Sequence, residues 1–213
     1  MQITILKKDD IDEKKKTRKL YEECFDEGKT EYIDYYYDVI IKRNEMVVLK
    51  NDDGDIISMV HLNPYLYNID GIVATVHYIV AVATKEGYRG MGYMKMIMEV
   101  VIDYLYEKEE PFCYLVPEDN NIEELYKTIG FEVVSGFTID KFSKERYDIY
   151  PVETDEYKKL MDREQVFLEM ESDEYKKELS IKNVMMKMLI TDKINIKTLD
   201  DMRNKKIYVC QEV

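Results

Sequence analysis

Val82-Ala83-Thr84-Lys85-Glu86-Gly87-Tyr88-Arg89-Gly90-Met91-Gly92-Tyr93 runs from an apolar strand pattern straight into a glycine-rich turn that opens a helix. A junction of this kind is suited to hold a phosphate. Gly90 and Gly92 let the main chain approach an anion closely, and Arg89 supplies a fixed positive charge. The first N–H groups of the following helix point outward with the positive end of its dipole. The stretch therefore predicts an anionic cofactor. A P-loop nucleotide site is excluded, because the loop lacks the spaced Gly-Lys-Ser/Thr that such sites set on phosphates and magnesium.

C-terminal to the turn, Met94, Ile97, Met98, Val101 and Leu105 recur at three- and four-residue steps, while Lys95, Glu99, Asp103 and Glu107 take another face. The spacing predicts an amphipathic helix from Gly90 to about Glu107, packed on a sheet. The run Met91, Met94, Met96 and Met98 reads as core. Phe112 to Val116 reads as a strand, Ile122 to Thr128 as a short helix stopped by Gly130, and Phe131 to Ile139 as another strand.

N-terminal to the turn, residues 2 to 6 form a predicted strand, and Asp9 or Asp10 caps a helix expected to reach Phe25. A second helix is expected over residues 31 to 42. Met46 to Leu49 and Asp55 to Leu62 flank the turn-rich Asn51-Asp52-Asp53-Gly54 as a hairpin, and Ile72 to Ala83 completes a meander. The predicted order is β-α-α-β-β-β-α-β-α-β. Beyond Tyr150, Pro151 and polar stretches rich in Glu, Lys and Tyr change the pattern. There the sequence predicts one or two short helices, a strand near Val184 to Ile190, a small helix near Ile196 to Met202 and a strand over Lys206 to Val213. The domains expected are residues 1–148 as the main body and 149–213 as a small α/β appendage.

At 213 residues, 46% hydrophobic and 35% charged, the chain can bury one full core, or one core with a small appendage. No run nears the roughly 20 apolar residues of a membrane span, and no signal-peptide layout opens the chain, so a cytoplasmic location and no membrane association are expected. Cys24, Cys113 and Cys210 stand far apart without C-x-x-C spacing, and with two histidines neither metal nor disulfide framework is indicated. Of the net charge of −13, −11 falls within residues 1–150. Nucleic acid would be repelled, and a cationic substrate such as an amine is favoured, although solubility alone explains such a charge.

Two blocks in this order carry a family resemblance. Gly87-Tyr88-Arg89-Gly90-Met91-Gly92 is similar to the pyrophosphate loop [R/Q]-x-x-G-x-[G/A], with Gly87 where that pattern has Arg or Gln. Leu125-Tyr126-Lys127-Thr128-Ile129-Gly130-Phe131 is similar to an L-Y-x-x-x-G-F segment. With the element order, these resemble the GNAT superfamily of acetyl-CoA-dependent N-acetyltransferases. The implied fold is α/β (α+β), a mixed and mostly antiparallel central sheet flanked by helices. A narrower resemblance, over residues 1 to 145, is to acetyltransferases of the enhanced-intracellular-survival type. Those longer proteins share a Val-Ala-Thr strand end, a Tyr-Arg-Gly-x-Gly-Tyr-Met loop and a Pro-x-Asp approach to the tyrosine.

The resemblance implies roles for named residues. Acetyl transfer needs a held thioester, a neutral attacking nitrogen, oxyanion stabilisation and a proton for the departing thiolate. Strand residues Val80, Val82, Ala83 and Thr84 would pair with the pantetheine amides of acetyl-CoA, a backbone N–H near Val82 facing the thioester oxygen. Arg89, Gly90, Met91, Gly92 and Tyr93 would bind the pyrophosphate, and Asn121 the pantetheine arm. Tyr126, one of 19 tyrosines, is the candidate general acid. No general base declares itself: His61 and His77 lie in strand patterns and read as structural, and the narrower family implies the terminal carboxylate of Val213. Tyr32, Tyr35, Tyr36 and Tyr37, with Asp34 and Asp38, would border an ammonium-bearing acceptor or simply pack; packing is the favoured reading. The function expected is N-acetylation of a small-molecule or peptidic amine. The alternative is a catalytically idle acyl-CoA-binding module. The oligomeric state stays open, a homodimer being the commonest arrangement for small enzymes.

Overall fold

A computed structural model describes residues 1–25, 30–69, 72–118, 120–137 and 182–188. The elements are β1 (Gln2–Leu6), α1 (Ile11–Lys15), α2 (Arg18–Phe25), α3 (Thr30–Asp38), β2 (Glu45–Lys50), β3 (Ile56–Ile69) and β4 (Ile72–Thr84), followed by α4 (Tyr93–Glu107), β5 (Phe112–Leu115), α5 (Asn120–Lys127), β6 (Glu132–Phe137) and β7 (Lys182–Met188). Period-two alternation, shifted by one residue in β4 between Ile79 and Ala83, divides the strand side chains between two cores. Met46, Val48, Met59 and Ala83 face Leu20 of α2, Ile33, Tyr36 and Tyr37 of α3, and Ile40 and Ile41 just beyond it. Val47, Val60, Leu62 and Ile79 face Ile97, Met98, Val101 and Leu105 of α4. The result is a mixed α/β fold in which helices cover both faces of one sheet.

Among the described residues the sheet has seven strands, in the order β1-β2-β3-β4-β5-β7-β6. Every neighbouring pair is antiparallel except β4 and β5, which α4 connects as a crossover and which run parallel. The β2–β3 turn is held by Asn51, whose Oδ1 accepts the N–H groups of Asp53 and Asp55 at 3.1 and 2.8 Å.

Helix α4 forms as its periodicity predicts. Ile97, Met98, Val101 and Leu105 are fully buried, each worth roughly 2 kcal/mol before the entropy of ordering is subtracted. The methionine run does not behave as one unit: Met91 is 60% and Met96 43% exposed. Met91 lies in the loop between two glycines, and Met96 lies off the stripe set by positions 94, 97, 98 and 101.

The helix expected to run unbroken to Phe25 is two helices. Buried Lys14 turns its ammonium inward to the carbonyls of Ile41 and Asn44, both at 2.7 Å, while Thr17 Oγ1 donates to the Lys14 carbonyl at 2.7 Å. These tertiary bonds outcompete continuation of the helix. The next helix stops at Asp38, and Ile40–Lys42 form a short 3-10 helix.

The strand expected within an appendage instead completes the main sheet. β7 pairs with β5 through Phe112↔Met188 to Leu115↔Met185, and with β6 through Glu132↔Met186 to Phe137↔Lys182. Segment 149–213 thus contributes a strand between two others that precede it. The helices and the final strand expected elsewhere in that segment, with Val213, lie outside the described residues. Among the described residues, no helix is long and apolar enough to cross a membrane.

Candidate active site

β4 and β5 pair at only two positions, His77↔Cys113 and Tyr78↔Tyr114. β4 then runs six residues further, to Thr84, with no strand partner on that edge among the described residues. Parallel strands that part in this way leave a fork whose inner edge offers a ligand main-chain groups that no strand pairs among the described residues. Val80, Val82, Ala83 and Thr84 all lie on this stretch.

The opposite edge of β4 carries a bulge. His61 of β3 pairs with Val80 and Met59 with Ala83, so Val60 stands against both Ala81 and Val82. Ala81 takes the extra residue at φ 50°, a left-handed conformation that an alanine adopts at a cost of about 1 kcal/mol. Such a bulge re-aims the main chain beside it, and strain of this kind gathers where a site needs a fixed backbone.

Beyond Thr84 the chain is pinned by the Lys85 N–H to the Ile57 carbonyl at 2.9 Å, then makes a 3-10 turn over Glu86–Tyr88. Gly90 and Gly92 have φ of 75° and 81°, and a side chain at either would meet nothing within 4 Å. Glycine is required there by conformation, and the loop surface is left open. Gly92 is the N-cap of α4 and no side chain caps the helix, so the first N–H groups face the loop unpaired within the helix. The guanidinium of Arg89 donates Nε–H to the Thr84 carbonyl at 2.9 Å and lies 3.7 Å from Cys24 Sγ. A groove of about 370 Å³ passes beside it, lined by Glu23, Cys24, Lys85, Glu86, Gly87 and Arg89. Loop, helix terminus and Arg89 together can hold an anionic group at the mouth of the fork.

Tyr126, on α5, is 6% exposed and meets Phe131 edge-on at 5.7 Å. Burial pushes its phenol above the ordinary tyrosine range, so it stays a proton donor at neutral pH. Asn121 lies exposed in the first turn of the same helix.

Both histidines are buried. The ring of His61 lies beside those of Tyr21 and Tyr36, with centroids 5.9 and 5.6 Å away, and its Nδ1 is 3.0 Å from the Tyr36 hydroxyl. Burial, with the Lys14 charge adding to it, pulls its pKa down to about 3. His77 sets Nδ1 2.7 and 2.9 Å from the two carboxylate oxygens of Glu110. Tyr36 and Tyr37 are buried at 2% exposure each, so half of the aromatic cluster packs and cannot touch an acceptor in this arrangement. Among the described residues, no group of three or more His, Cys, Asp or Glu is placed to hold a metal ion.

Sequence reasoning missed Ala81, since an alanine gives no sign of a left-handed backbone. It also missed Glu110, which closes the charged run Glu107-Lys108-Glu109-Glu110. Such a run reads as a solvated helix end, and only the adjoining Pro111-Phe112 hinted at a turn inward.

Against known proteins, the family model described as acetyltransferase (GNAT) domain matches residues 3–134. No curated protein matches. Among solved structures, an aminoglycoside 6'-acetyltransferase type Ii is 11% identical with TM-score 0.57, over 89% of this chain and 98% of that one. An aminoglycoside 6'-N-acetyltransferase complexed with coenzyme A is 8% identical with TM-score 0.56, over the same shares of each chain. A probable N-acyltransferase from Enterococcus faecalis is 20% identical with TM-score 0.54, over 63% of this chain. The match spans 33% of that longer protein. At such identities the likeness is one of fold.

Proposed function

The chain belongs to the GNAT acetyltransferase family, and from that premise we propose that it transfers the acetyl group of acetyl-CoA to a primary amine by direct attack in a ternary complex. The observation that carries this reading is the fork. A strand edge with no strand partner among the described residues, backed by a strained bulge on the other edge, leads without interruption into a glycine loop at a helix N-terminus. A ligand with an amide-bearing arm and a diphosphate matches both halves in sequence.

In this reading Val80, Val82, Ala83 and Thr84 pair with the pantetheine arm, joined by Asn121, while Arg89, Gly90, Met91, Gly92 and Tyr93 hold the diphosphate. The amine nitrogen attacks the thioester carbon, and the oxyanion that forms is met by a backbone N–H near Val82. As the C–S bond breaks, the sulfur takes the phenolic proton of Tyr126, and the proton lost by the nitrogen passes to a base. The resemblance to the enhanced-intracellular-survival type points to the Val213 carboxylate as that base. Neutral His61 is buried away from any acceptor and is not used. Residues 1–148 supply the cofactor-binding body, and within 149–213 the chain end serves the acceptor side.

The acidic surface, with a sequence pI near 4.8, favours a cationic small-molecule or peptidic amine over nucleic acid or a membrane. The protein then acts in the cytoplasm, as a monomer or a symmetric homodimer. Thiol release from acetyl-CoA across a panel of polyamines, aminoglycosides and lysine peptides tests the reading, with turnover expected for at least one cationic amine. Binding of CoA without turnover on any amine would leave an idle acyl-CoA-binding module, the reading that Gly87 in place of Arg or Gln favours.

A further inference from the structure

At the closed end of the fork, several elements converge on two buried carboxylates. Glu110 is 3% and Glu45 7% exposed, with His77 between them at 1%. How Glu110 gets there is legible in the backbone. α4 ends with the Glu109 N–H bonded to the Tyr106 carbonyl at 2.9 Å and the Glu110 N–H bonded to the Leu105 carbonyl at 3.2 Å. This is a Schellman cap with Glu109 in the left-handed position, φ 56°, that glycine ordinarily fills. The reversal costs about 1 kcal/mol and turns Glu110 under β4 two residues before β5 begins.

There the Glu110 carboxylate accepts the main-chain N–H of His77 at 3.2 Å and its ring Nδ1–H at 2.7 and 2.9 Å. His77 is itself one of the two β4 residues that pair with β5. Lys108 Nζ lies 2.8 Å from Glu45 Oε2 and 3.9 Å from Glu110 Oε1, and the Tyr104 hydroxyl donates to Glu45 at 2.8 Å. The cluster joins the end of α4, the start of β2, β4 and the approach to β5. A carboxylate buried this deeply is costly unless paired and hydrogen-bonded, and a strained turn to deliver it adds to that cost. Two ladder positions alone give a parallel pair little resistance to pivoting.

We propose that Glu110 and His77 are the positioning pair of the fork: by locking β5 to β4 at the closed end, they set the spacing at which the open end receives the pantetheine arm. This rests on the acetyl-CoA reading above. Neither residue touches the cofactor; both act through the strands.

The test compares two ligands by calorimetry, CoA and adenosine 3',5'-bisphosphate, which has the nucleotide end of CoA without its arm. Glu110→Ala should weaken CoA about tenfold and raise KM for acetyl-CoA with little change in kcat, while the bisphosphate Kd stays within about twofold. Glu110→Gln keeps an acceptor for the His77 N–H and should weaken CoA by about threefold; His77→Gln should behave alike and stands in if Glu110→Ala does not fold. A lowered melting temperature with unchanged CoA affinity, or equal weakening of both ligands, would overturn the proposal by reducing the pair to ordinary structure. Absence of CoA binding in the unmutated chain would instead remove the acetyl-CoA reading, and this inference with it.

Discussion

Two stretches of β4, its middle and its C-terminal end, are built to opposite specifications. His77 and Tyr78 have strand neighbours on both edges, and the main-chain N–H of His77 is bound by the buried Glu110 carboxylate. Residues 79–84 keep one paired edge, a bulge and a left-handed alanine, and run into an exposed loop. On the reading proposed above, the doubly paired middle holds still a stretch whose free edge has no strand partner among the described residues. On the acetyl-CoA reading, the contrast separates stability from chemistry along a single strand.

The sharpest way to break this division is at the open end. Tyr126→Phe should lower kcat by about 100-fold, leave CoA affinity within about twofold, and leave thermal stability nearly unchanged. Steady-state kinetics beside calorimetry checks it, and equal turnover removes the role given to the phenol. A larger loss of stability than of rate would place Tyr126 among the core residues only.

A second experiment reads the layer beneath the bulge. His61 holds a pKa of about 3 where an unfolded chain has about 6.5. Between those values the unfolded state binds a proton that the folded state refuses. Stability is therefore fully present above pH 6.5 and is lost as pH falls toward 3, with a slope of up to about 1.4 kcal/mol per pH unit. His61→Gln retains a polar partner for Tyr36, and denaturant unfolding at several pH values should give a shallower acid limb.

At the loop, Gly92→Ala forces a side chain into φ 81°. It should cost about 1 kcal/mol of stability and weaken CoA about fivefold, whereas an alanine tolerated without loss of affinity would deny the loop its part. The smallest effects make the finest comparison. Ala81 and Glu109 are the non-glycine residues with positive φ among the described residues. Ala81→Gly and Glu109→Gly should each stabilise by about 0.5–1 kcal/mol through relief of the left-handed conformation. Only Ala81→Gly should also lower kcat.

Much of this contrast was legible beforehand, for stated reasons. The glycine loop and α4 announce themselves because left-handed turns need Gly90 and Gly92, and because burial of one helix face imposes three- and four-residue spacing. The break at residues 16–17 was not legible, since it depends on where the Lys14 ammonium finds carbonyls some thirty residues away. Met91 and Met96 misled because methionine suits core and surface alike. The placing of β7 was hidden for a related reason: strand partners are chosen across the whole chain, and local propensity names a strand without naming its neighbour.

That late strand has a consequence for how the molecule is made. β5 and β6 each wait for β7 to pair, so until residue 188 has left the ribosome the β5 edge of the sheet stays open and β6 has no strand through which to join it. Synthesis at about 5–20 residues per second leaves that edge exposed for several seconds after β6 emerges. Any nascent chain halted in that interval carries a ready template for unwanted strand addition, which makes the stretch from 138 to 181 a timer on safe folding.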